Sequence, residues 1–78
     1  MNISTVAQNL RNTIKGKEQM LAAVLKERTF VGLRDGEDIA LRTTAEFLRM
    51  NLDELYKILQ DVEVCIADEI DANKFTGV

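Results

Sequence analysis

Leu41, Ala45, Leu48, Leu52, Leu55, Leu59, Val62 and Ile66 follow one another at alternating spacings of four and three, with neither Pro nor Gly between them. Such a heptad seam restricts the second half of the chain to one long helix that packs against other helices. The spacing predicts this helix over about 38–71, with Glu37 and Asp38 at its positive end. Ile58 and Cys65 lie seven apart beside the seam and widen the apolar face beyond the strip of a two-stranded zipper. A bundle of three or four helices fits that width, and Cys65 reads as a packing residue.

Upstream, Ala7, Leu10, Ile14, Leu21 and Val24 recur at helical spacing, with Val6, Met20 and Leu25 broadening the stripe. They predict a first helix over about 5–28, capped by Ser4 or Thr5. Gly16 inside it costs about 1 kcal/mol against Ala and is expected to be tolerated, a break being the alternative. Residues 29–36 form the connector, because Thr29 to Gly36 holds two glycines and β-formers in place of helical periodicity. Phe30, Val31 and Leu33 are expected to fold over the open end of the hairpin. The Asp35-Gly36 pair allows a minor alternative of helix, β-hairpin and helix. Residues 73–78 lack periodicity and read as a polar tail of a single domain spanning 1–78.

The two helices are unequal. At 1.5 Å per residue the second is expected to be near 50 Å long and the first near 36 Å. Apolar residues toward the far end of the longer helix therefore call for cover from another polypeptide. The expected interface comprises Leu48, Leu52, Leu55, Tyr56, Leu59, Val62, Ile66 and Ile70, in a homo-oligomer or with a separate protein partner. Charge adds a second asymmetry: residues 1–36 carry net +3 and residues 37–78 net −6. Halves of opposite sign attract within a folded-back chain and between antiparallel copies.

With 78 residues, one Cys and no His, the chain has no internal disulfide and lacks the commonest catalytic base and metal ligand. No catalytic residue, metal site or cofactor is assigned, and an enzyme is disfavoured. The acids at Asp53-Glu54 and Asp68-Glu69-Asp71 read as solvated helix surface. The N-terminus has no basic-then-apolar export pattern, and no apolar run approaches the roughly 20 residues that cross a bilayer. A cytoplasmic protein without membrane contact is the expectation.

Arg42 to Leu59 can also be divided into Thr-Thr-Ala-Glu-Phe-Leu, then Arg-Met-Asn, then Leu-Asp-Glu-Leu-Tyr-Lys-Ile-Leu. This resembles the helix-turn-helix of bacterial and phage regulators, and the resemblance implies DNA binding. Arg49 stands where that family often has Gly in the turn, and Asp53 and Glu54 stand where the reading helix meets bases and phosphates. Nucleic acid is accordingly a disfavoured partner for an acidic chain.

Lys26, Arg28, Thr29 and Arg34 gather positive charge and a hydroxyl near two glycines, a candidate rim for a small anionic ligand such as a nucleotide phosphate. The first reading remains a small helical binding protein acting by stoichiometric protein–protein contact or sequestration. Its size and design resemble small phage-encoded accessory or host-inhibitory proteins. DNA regulation and sequestration of a phosphate ligand are the competing readings.

Overall fold

The computed structural model describes the backbone of residues 2–76 and the side chains of residues 2–68. Two helices pack on each other as a helical hairpin: α1, Ile3–Glu27, and α2, Asp35–Thr76. Among the described residues there is no strand. The β-hairpin alternative fails because Asp35 and Gly36 are the first residues of α2. There Asp35, Glu37 and Asp38 supply three carboxylates to the positive end of the helix dipole. That stabilisation outweighs the turn preference of an Asp-Gly pair.

Helix α1 begins earlier than Ser4 or Thr5. Asn2 takes the cap in extended geometry, and its Oδ1 accepts from the Ser4 N–H at 2.8 Å. Asn is as good a cap as Ser and stands two residues upstream, so it ties up a free N–H first. Gly16 lies within continuous helix, with open space where a Cβ would sit. At the other end, the Arg28 N–H donates to Val24 O, and Thr29 donates to Lys26 O from its N–H at 3.1 Å and from its Oγ1 at 2.7 Å. Gly32 then reverses the chain at φ +113°, in the left-handed region that glycine enters without strain.

Helix α2 is unbroken for 42 residues. No residue from Glu37 to Thr76 is Gly or Pro, so nothing local stops it at Asp71. The segment expected as a polar tail is therefore helical through Thr76, while Gly77 and Val78 lie outside the described residues. Thr44 stays in the helix by turning its hydroxyl back onto Ala40 O at 2.8 Å. At 1.5 Å rise, α2 spans about 63 Å and α1 about 37 Å, which leaves α2 longer by about 25 Å. The longest dimension of the molecule, 66 Å, is essentially the length of α2.

The core is a thin layer: Ala7 and Ile14 from α1, and Ala45, Leu48 and Leu52 from α2. Ala7 and Ala45 are the small members that let the helices approach. Leu10, Leu21, Val24 and Leu25 border this layer half-buried, as do Leu41 and Leu55. The chain's radius of gyration is 18.5 Å, whereas a compact chain of this length has about 11.5 Å. Its accessible surface is 6166 Å², against about 4,800 Å² for a compact monomer of 8.8 kDa. The surplus, about 1,400 Å², comes from the extended shape.

Two substitutions test this account. Leu52→Ala should destabilise the folded chain by about 2–5 kcal/mol, read as a lower thermal midpoint by circular dichroism. Gly16→Ala should stabilise by up to about 1 kcal/mol, since the added methyl meets nothing and the helix gains a better former.

Candidate interaction surface

The seam of α2 changes character along its length. Leu48 and Leu52 are closed off against α1, so two of the expected interface residues belong to the hairpin's own core. Leu55, Leu59, Val62 and Ile66 remain half-buried. The side chain of Ile70, also expected at the interface, lies outside the described residues. α1 covers the near part of the seam and is too short to cover all of it.

Tyr56 sits at the flank of this transition. Its hydroxyl donates to Glu18 Oε2 at 2.9 Å. Among the described residues this is the single side-chain hydrogen bond joining α1 to α2. The bond to the Glu18 carboxylate raises the phenol above its usual range, assisted by partial desolvation and by the negative charges of Glu18 and Asp53. Sequence spacing placed Tyr56 at an interface edge but could not name Glu18, which lies 38 residues away.

The columns beside the seam are open. Ile58 and Cys65, expected to widen a covered face, are exposed, as is Phe47 on the same flank, while Met50 and Val64 are exposed on the side of α2 away from the seam. Cys65 is thus a surface residue of the hairpin, because one antiparallel α1 shields only one stripe of α2. Met20 of α1 is also exposed. At the turn, Phe30 is 67% and Val31 93% exposed, while Leu33 alone is half-buried. The expected apolar lid is therefore not made by Phe30 or Val31. The hydrogen bonds that close α1, which run from Thr29 to Lys26 and from the Phe30 N–H to Glu27 O, hold this segment at the tip.

Three of the four rim residues have partners within the chain. Arg28 Nε lies 3.5 Å from Asp38 Oδ1, a pair that joins the cationic end of α1 to the acidic start of α2. Arg34 Nε lies 3.9 Å from Glu37 Oε1, and the Thr29 hydroxyl is spent on Lys26 O. Both helix dipoles favour this arrangement. Lys26 and Arg34 are exposed, but the three acids of α2's first turn stand among these cations and offset their pull on an anion.

The helix-turn-helix division is not realised. Arg49, Met50 and Asn51, where the turn would fall, are continuous α-helix, so no separate reading helix is formed. The unbroken apolar seam explains the same residues. No helix among the described residues is long and apolar enough to cross a membrane.

Linkage gives the pH behaviour of the Tyr56 bond. A phenol raised in the folded state contributes stability that is full below about pH 10 and is lost as pH rises through the folded value. Ultraviolet titration of the folded chain should show the phenol ionising above the usual value of about 10, and Glu18→Ala should return it toward that value. An unchanged midpoint in Glu18→Ala would remove the bond from the account.

The chain matches no protein-family model, no curated protein and no solved structure, so its own geometry carries the functional reading.

Proposed function

We propose that this chain is a small non-catalytic helical binding protein that works in the cytoplasm by stoichiometric protein–protein contact and self-associates to do so. The observation that carries the reading is the length mismatch. An apolar seam continues along α2 beyond what α1 can cover, and apolar side chains flank it on the surface. A surface of that kind gains free energy when another helix removes it from water. Affinity then comes from the seam, and orientation from charged residues around it. An accessory or inhibitory role, in which the chain occupies a site on another protein, follows from binding without turnover.

DNA regulation is not favoured, given the unbroken α2 and its acidic surface. Phosphate sequestration at Lys26, Arg28, Thr29 and Arg34 is not favoured either, given that Arg28, Arg34 and the Thr29 hydroxyl already have partners within the chain and that the acids of α2's first turn stand beside Lys26.

Light scattering with absorbance detection on the purified chain tests the proposal. The expected result is one oligomeric species free of nucleic acid; a compact monomer at high micromolar concentration would contradict self-association. Val62→Asp should shift the mass toward monomer while helix content is largely kept, because Val62 lies outside the hairpin's closed core. Leu52→Asp should instead cost the fold itself.

A further inference from the structure

The partner that best fits the open surfaces is the chain itself, an inference that rests on the protein-binding reading above. We infer that a second copy lies antiparallel along α2, so that the acidic far end of each α2 packs on the turn half of the other copy. Three independent features meet in this arrangement.

The first is charge. From Ile58 to Asp68 the far part of α2 has no Lys or Arg and carries Asp61, Glu63 and Asp68. Among the described residues none of these three forms a salt bridge. The turn half of α1 carries the exposed Lys15 and Lys26 and the half-buried Lys17, which are likewise outside any described salt bridge. An antiparallel copy brings these opposite charges together, whereas a parallel copy sets acidic end beside acidic end.

The second feature is apolar surface. Large apolar side chains stay exposed through the turn half, and of these Phe47 lies on the flank of α2 beside the seam, on the same side as Ile58. The seam at the far end of α2 supplies an apolar stripe through Leu59, Val62 and Ile66, and it continues directly from the part already packed on α1.

The third feature is size. The excess of α2 over α1, about 25 Å, is close to the length of the second half of α1, about 20 Å for residues 15–27. A two-fold axis near the middle of α2 makes both contacts at once, as a closed isologous dimer requires. The surface surplus of about 1,400 Å² per chain exceeds the roughly 800 Å² that each partner contributes to a standard interface. Ample area is available without unfolding the hairpin.

The lone Cys65 is exposed and reports the orientation directly. Pulsed dipolar spectroscopy would be run on the chain spin-labelled at Cys65, and on an Ala40→Cys, Cys65→Ala variant labelled at position 40, which is also exposed. With the axis near residue 55, the antiparallel dimer predicts label separations of about 30 Å and about 45 Å, respectively, from the helical rise. It also predicts no Cys65 disulfide on mild oxidation.

Separations near the interhelical spacing of about 10 Å at both positions, with ready Cys65 cross-linking, would overturn the antiparallel arrangement and leave protein binding standing. No dipolar coupling together with a monomeric mass would overturn the second copy as occupant and the self-association reading with it.

Discussion

Everything in this fold depends on one line of contact, the stripe of α2 through Ala45, Leu48 and Leu52 against Ala7 and Ile14 of α1. A core of five side chains is small beside the two helices it must hold in register. Among the described residues the polar ties between the elements are few: the Tyr56 hydroxyl on Glu18, and Arg28 beside Asp38. The hairpin is therefore thinly packed, with many of its large apolar side chains still facing water. Surplus surface and a large radius of gyration express the same fact geometrically.

The polar ends of the molecule complement this apolar line. Asn2 caps α1, Thr29 closes it, and the carboxylates of Asp35, Glu37 and Asp38 meet the positive end of α2. Arg28 and Arg34 are drawn into that cluster, so cations that look free in the sequence serve the turn. The far end of α2 has no such compensation between Lys57 and Asp68. The proposed binding draws on the end where both hydrophobic cover and charge balance are left incomplete within one chain.

Periodicity carried most of the fold. The heptad in α2 and the stripe in α1 fixed the hairpin, the continuity through Gly16 and the inequality of the helices. The errors have local causes. Asn2, rather than Ser4 or Thr5, starts α1, because the earliest competent cap wins. Asp35-Gly36 begins α2, because its neighbouring acids favour a helix terminus over a turn. The helix runs past Asp71, because absence of apolar periodicity does not stop a helix that contains no Gly or Pro. Surface fate was harder to read. Phe30 and Val31 are exposed since hydrogen bonds at the end of α1 dictate where the tip points. Ile58 and Cys65 are exposed since a width suited to a bundle meets only one partner helix in a single chain. The Tyr56 to Glu18 bond was out of reach, because pairing across 38 residues requires the packed register.

Completion of a single hairpin by association is tested by thermal unfolding, followed by circular dichroism over a wide range of chain concentration. If folding and association are coupled, the midpoint rises with concentration by mass action. A cooperative transition whose midpoint is independent of concentration, in a chain that remains monomeric throughout, would show that the hairpin is complete on its own and would contradict the account.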